Sequence, residues 1–575
     1  MKNIKRKNKE SASRTNRLFI LLSFSALMIA FAFYQLMGPG KKVNAFVKDA
    51  RIASPDVDIR TGYFTSAPLL HLSCPEADHT IYYTLDGSSP GNSLAMVYDG
   101  NSIQLPDEVL KDTFLYTIPT SPRWQLPMGK TYCFPVLRAV CVDKNGRCGP
   151  ELVESYIIDP EKQHNYSIAL ASFVFDQDAL FGYENGIYVM GKKYEDKDNY
   201  IKKKIKFDIP WWKYPANYLD KGSSSDRLVN LSLGKLNKTC FMQKPSKIRI
   251  HGFNTRGFAQ KSIRVSWSTS SDSSAKCIAM LNTPSTETNF VFRNGGNDWT
   301  KTLLRDAFVH RVMKNSTLSA QQYEPVVCFF NGEYWGIHTL RERFDATYIY
   351  SHYGISKDSI ALLELNGQVV EGGKSDANDY LNLIDYILCN DLSDDQKFAV
   401  VEKEMDIANL IDYYLCNMFF VNNDWPHNNC KYWRYSYPAK DTFYRDKKWR
   451  YVVYDMDWAM GFNINKAYEF NMFEYLKNES RMGKVFYSLL KNASFKSRLR
   501  SRAEYLLENE FAERTLIATF TSMEAEIGSY MDEHIKRWRV IGSKQNWENN
   551  MSDLKKFLAK RPKIFLKQLN STLDK

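Results

Sequence analysis

The chain has 575 residues, of which 44% are hydrophobic, 25% charged and 14% aromatic, with only 28 glycines and 20 prolines. That profile excludes disorder, collagen and low-complexity sequence as descriptions of the whole, and a mean hydropathy of -0.43 excludes a polytopic membrane protein. A net charge of +12, from 77 Lys and Arg against 65 Asp and Glu, raises nucleic acid as a partner until the distribution of that charge is read.

Half of the excess sits at the start. Lys2, Lys5, Arg6, Lys7, Lys9, Arg14 and Arg17 face Glu10 alone, so the remainder of the chain is only mildly basic and no nucleic-acid partner is expected. Leu18 to Met37 then runs twenty residues without a charge, enough at about 1.5 Å per residue to cross a hydrocarbon layer of about 30 Å. A basic flank before an apolar span predicts a membrane anchor, residues 1–38, with everything after it outside the cytoplasm. A cleaved signal peptide is the alternative, although its small-residue site, Ala30-Phe31-Ala32, falls inside the span.

A short linker, 39–50, leads to alternating strands and turns that predict a β-sandwich over 51–159. Ten cysteines are too sparse for a disulfide scaffold, and no C-x-x-C is present. The Asp143-Lys144-Asn145-Gly146 turn predicts a hairpin whose ends, Cys141 and Cys148, can be bridged. Within the sandwich, Thr80-Ile81-Tyr82-Tyr83-Thr84-Leu85-Asp86-Gly87-Ser88-Ser89-Pro90 resembles the strand and turn of the chitobiase/β-hexosaminidase C-terminal type module, an immunoglobulin-like domain. Its expected role is a spacer that holds the catalytic part off the membrane, with glycan contact as the functional alternative.

Residues 160–470 mix strands with helices and hold the polar clusters. Lys247 to Val265 alternates, turns on two glycines and alternates again, a hairpin with Lys261 at the start of its second strand. Further on, Asp424 and Asn429 stand in a D-x-x-x-x-N spacing, which in protein kinases places a catalytic base beside a metal-holding amide. About twenty-five residues later the apolar strand Trp449 to Tyr454 ends in Asp455-Met456-Asp457, hard oxygen ligands of the kind that Mg²⁺ or Mn²⁺ requires at the mouth of a cleft. The order of loop acid, loop amide and strand-end acid reproduces the layout of a kinase active site.

Together with Gly252 to Ser262, Phe292 to Trp299, Leu304-Arg305-Asp306, and Phe330 to Ile337 leading to Arg341-Glu342-Arg343, these motifs resemble the CotH kinases over about 160–550. The resemblance implies an α+β, atypical two-lobed protein-kinase-like fold that binds ATP with Mg²⁺ or Mn²⁺ and phosphorylates hydroxyl side chains of secreted or surface proteins. It implies Lys261 as the phosphate-binding lysine, with Glu342, read as opening a helix, as its ion-pair partner. It further implies Arg256 and Arg293 as nucleotide contacts, Asp424 as the catalytic acid, Asn429 and Asp455 as metal ligands, and Asp457 as a second ligand. Arg293, Asp298, Arg305 and Asp306 also suit an ion-pair network beneath the cleft. The G-x-G-x-x-G, H-R-D and D-F-G signatures of ordinary kinases are absent.

Two rivals remain at this level. Asp455-Met456-Asp457 also reads as the D-x-D of a metal-dependent glycosyltransferase, against which no βαβ series precedes it, and a non-catalytic kinase-shaped surface protein is the other. Residues 471–575 predict helices that buttress the acid-bearing lobe, with Trp538 and Trp547 as core anchors.

Overall fold

The computed structural model describes residues 46–574 apart from 107–108, 110, 112, 161–165, 204–208, 236–240, 268–287 and 439–441. The expected anchor therefore lies outside the described residues, and among these no helix is long and apolar enough to cross a membrane.

The N-terminal module is built on a seven-stranded sheet centred on Val136–Val142, with two small two-stranded ribbons beside it. Its core is formed by Leu70, Leu72, Ile81, Leu137, Ala139, Cys141 and Tyr156. The expected Cys141–Cys148 bridge is corrected: Cys141 is bonded to Cys74 across a Cα–Cα distance of 6.3 Å, and Cys148 is a buried free thiol. Strand alternation is the reason. Cys148 stands opposite Val142 and packs with Val140 and Val142, on the face of the sheet that Cys141 points away from.

The second unit opens with a closed barrel of seven strands: β1 (Ala169–Val174), β2 (Arg227–Gly234), β3 (Phe241–His251), β4 (Ser262–Ser266), β5 (Asn289–Arg293), β6 (Tyr323–Phe330) and β7 (Glu333–Glu342). Neighbours run β1-β2-β3-β4-β5-β7-β6, and a parallel β6–β1 pairing closes the ring. Period-two alternation builds it: along β3, Met242, Ser246, Ile248 and Ile250 are buried while Gln243, Pro245 and Lys247 are exposed. Apart from that closure the barrel ladders are antiparallel.

The module packs directly on the barrel. Its chain continues across the barrel and pairs with the β6–β7 hairpin, Phe134 N–H donating to Gly332 O at 3.1 Å and Tyr334 N–H to Tyr132 O at 2.9 Å. Glu333, fully buried there, accepts from Leu115 N–H at 3.0 Å, Tyr116 N–H at 3.1 Å and Lys111 Nζ at 3.2 Å.

The other lobe carries an antiparallel four-stranded sheet, ordered Gln368–Glu371, Ile360–Glu364, Lys431–Tyr435 and Arg450–Tyr451. It also holds α2 (Ile407–Phe419), which follows α1 (Arg305–Val312) in the chain and is buried along almost its whole length. The expected helical C-terminal part is present, ending in α3 (Met531–Trp538) and α4 (Lys544–Leu573), with Trp538 and Trp547 buried. It does buttress the lobe. Arg561 of α4, itself buried, donates to Met418 O at 2.8 Å and Phe419 O at 2.9 Å, satisfying carbonyls that the end of α2 leaves without intrahelical partners.

Candidate active site

The loop between α2 and the strand Lys431–Tyr435 carries Asp424 and Asn429, and the segment after Arg450–Tyr451 brings Asp455 to the same place. Asn429 Nδ2 donates to Asp424 Oδ2 at 2.7 Å and to the Asp455 carbonyl at 3.3 Å. Asn428 Nδ2 donates to the other Asp424 oxygen at 2.9 Å, so the carboxylate is fixed from both sides. Burial raises the Asp424 carboxyl above the usual range and the Asp455 charge adds to it, against the two amide donors. Asn429 and Asp455 hold left-handed backbone, φ 60° and 51°, uncommon for side-chain-bearing residues and often found where a site must be held in one shape.

A second layer lies behind Asp455. The Arg293 guanidinium, at the end of β5, donates to Asp455 Oδ1 and reaches Asp457 Oδ2 at 3.2 Å. Its Nε stands 3.3 Å from Asp306, which also pairs with Arg341. Burial alone would raise Asp306, but Arg341 and Arg293 overcome it and hold the carboxyl well below its ordinary value. Asp298 and Arg305 form the neighbouring pair at 3.0 Å, so the expected network exists and Arg293 reaches from it to the cleft acids. Asp457 is nearly inaccessible and takes Asn297 N–H at 2.7 Å; burial and then Asp455 push it well above the carboxylate range despite Arg293.

Sequence reasoning missed Asn297 and Gly296. The Gly295-Gly296 doublet was the available signal. Gly296 has φ +64°, and a Cβ there would stand 2.0 Å from Asp457 Oδ2 and 2.6 Å from Arg293 Nη2, so only glycine lets the two side chains meet. It also missed Arg343 and Lys431, which stand with Arg293 and Arg256 around His251. Half-buried His251, at the end of β3, is held well below its usual value by burial and then by Arg343, Arg293, Arg256 and Lys431 around it. Lys431, two residues beyond Asn429, pairs with Glu364 at 2.6 Å and lies 4.1 Å over the Tyr454 ring.

Three expected site residues lie elsewhere. Lys261 is fully buried and donates to the carbonyls of Thr120 at 2.9 Å, Arg256 at 2.8 Å and Phe258 at 2.8 Å, with the Tyr218 ring 3.9 Å away. All three of its protons are taken, so none is left for a phosphate. Arg256 is likewise surrounded by main-chain oxygens, those of Ile250, Gly252, Tyr218 and Asp220. Glu342 ends β7 rather than opening a helix; it takes His352 Nε2 at 2.7 Å and Gln322 N–H at 3.0 Å, and not Lys261.

The donor set fits a divalent cation. Asn429 gives its amide protons to Asp424 and Asp455, which leaves Oδ1 as an acceptor. The Asp455 carboxylate is one-third exposed, and both Asp424 and Asp457 are raised partly by its negative charge. Crowded hard oxygens with charge still to be offset are what Mg²⁺ or Mn²⁺ takes as ligands. Asp455 Oδ2 and Asn429 Oδ1 are the oxygens left for it, since Asp455 Oδ1 is paired with Arg293 and Asp457 Oδ2 with Asn297 and Arg293.

No curated protein matches the chain. Residues 59–112 match the chitobiase/beta-hexosaminidase C-terminal domain. Residues 248–565, which take in β4 to β7, the loop acids and most of the helical tail, match the CotH kinase protein. That match spans more than half of the chain, which therefore belongs to the CotH kinase protein family.

Proposed function

We propose that the chain is a protein kinase that uses ATP and Mg²⁺ or Mn²⁺ to phosphorylate hydroxyl side chains of secreted or surface proteins. The observation that carries this reading is that Asn429 joins Asp424 and Asp455 in one place, bonded to the carboxylate of the first and the main-chain carbonyl of the second. Family membership supports it from a separate direction.

Phosphoryl transfer rests on positioning and charge neutralisation. A cation held by Asp455 and Asn429 supplies neutralisation of the phosphate oxygens when bound. Asp424 Oδ accepts the proton of the acceptor hydroxyl as its oxygen bonds to the γ-phosphorus and the bond to ADP breaks. A carboxyl raised above its usual range suits that task, because it holds the proton more readily than a free aspartate. Arg293 keeps Asp455 oriented.

The basic tail and the uncharged run Leu18–Met37 support placing the catalytic unit outside the cytoplasm on a single membrane anchor. The test of the chemistry is transfer from γ-labelled ATP with and without Mg²⁺. Asp455→Ala is expected to abolish metal-dependent labelling at an unchanged melting temperature, and undiminished labelling would refute the proposal.

A further inference from the structure

Behind the loop that carries Asp424 lies a cavity of about 210 Å³, walled by Pro426, His427 and Cys430 of that loop and by Leu381, Ile384 and Met482 from two helices. None of these residues has a part in the chemistry above. The deep side chains are mostly apolar, Ile384, Pro426 and Cys430 buried beside Tyr380, and Leu381 and Met482 half-buried, while the outer wall is polar, with Ser480 and Arg481 half-buried and Asn366 and His427 exposed at the rim. Sites for whole small molecules run to about 300–1,000 Å³, so a hollow of this size suits one side chain rather than a cofactor.

Its position says whose side chain. Asn428 N–H donates to Asp424 O at 3.0 Å, so the loop turns back on itself and places His427, at the cavity, within about 7 Å of Asp424. An extended chain advances about 3.3 Å per residue. A segment that presents its hydroxyl to Asp424 therefore has its second or third neighbour over the cavity. We infer that this cavity is the acceptor-specificity pocket, taking a bulky apolar side chain two or three residues from the phosphorylated hydroxyl; the inference rests on the kinase reading. The catalytic loop forms one wall, so occupation of the cavity and alignment of the hydroxyl are coupled through the same backbone.

The experiment scans Phe and Leu through positions on either side of a single hydroxyl residue in a peptide set, using γ-labelled ATP and Mg²⁺. Burying one such side chain is worth about tenfold to a hundredfold in KM, so labelling is expected to rise by at least that lower factor when the apolar residue stands two or three positions away on one side. Leu381→Trp, which fills the hollow, is expected to remove the preference while Mg²⁺-dependent ATP affinity stays at the wild-type level. Asn366→Trp, on the exposed rim, repeats the blockade should Leu381→Trp fail to fold. A flat scan, or a preference that survives both variants, overturns the inference with the kinase reading intact. A wild-type protein that binds no ATP with Mg²⁺ overturns the kinase reading, and the pocket assignment falls with it.

Discussion

Lys261 and Gly296 show how differently two residues of one family motif set can act. Lys261 joins three main-chain carbonyls, one of them Thr120 in the segment that reaches over from the N-terminal module. Lys261→Met should leave those acceptors buried without donors, at a cost of about 1–3 kcal/mol for each that water cannot reach, offset in part by no longer burying a charge. The expected result is a melting temperature lowered by several degrees with ATP affinity of the folded protein unchanged; a phosphate-binding lysine would give the reverse. Gly296→Ala has the opposite profile. Its Cβ would drive Asp457 and Arg293 apart, so metal-dependent labelling should fall at least a hundredfold, and Arg293 should no longer hold Asp455. Wild-type labelling by Gly296→Ala would show that the Arg293 layer does not position the metal acid.

At the scale of elements, α3 is the helix whose environment titrates in an accessible range. It packs Trp538 and His534 against β7, where Trp538 Nε1 donates to Trp335 O at 3.0 Å and Ile337 N–H donates to His534 Nδ1 at 3.1 Å. On the same helix, burial pushes Glu533 up to about 7 from an ordinary 4.5, against the Tyr166 hydroxyl that donates to it at 2.8 Å. The folded state thus keeps a proton that the unfolded chain releases above pH 4.5. The stability from this group is fully present below pH 4.5 and is lost as pH rises through about 7, an effect of about 2–3 kcal/mol. Denaturant titrations at pH 5 and pH 8 should show that difference shrinking in Glu533→Gln, and an equal difference in both proteins would assign it elsewhere. Elements also mark what could be read in advance. Asp424, Asn429 and Asp455 were legible because they fall in one loop and in the short segment after the strand Arg450–Tyr451, which is shorter than the expected Trp449–Tyr454 and leaves Asp455 in a left-handed turn beyond it. The buried state of Lys261 was not, because its partner Thr120 lies 141 residues away and a lysine beside a glycine turn looks the same whether it faces a cleft or a core. The Cys74–Cys141 bond was hidden likewise by a sequence separation of 67.

For the whole molecule, the contacts between module and barrel decide whether there are one or two folding units. A spacer would meet its neighbour through a small polar surface and melt by itself. Here Phe134 and Val136 of the module belong to the same apolar cluster as Phe329 and Phe330 of the barrel, and the Phe134 and Phe329 rings lie 4.8 Å apart. Glu333 is buried in the barrel hairpin with its carboxylate pointing at main-chain donors from the module side, Leu115 and Tyr116. Removing those donors would strand the buried Glu333 carboxylate and would separately deprive Lys261 of Thr120, and each loss is of the kind that costs several kcal/mol against a total stability of about 5–15 kcal/mol. Calorimetry of residues 46–575 should therefore show one cooperative transition. A chain begun at residue 160 should be insoluble or lack a transition, even though the family match starts only at residue 248. Two separated transitions, or a stable and ATP-binding chain from residue 160 onward, would show that the module is carried by the barrel unit without helping to form it.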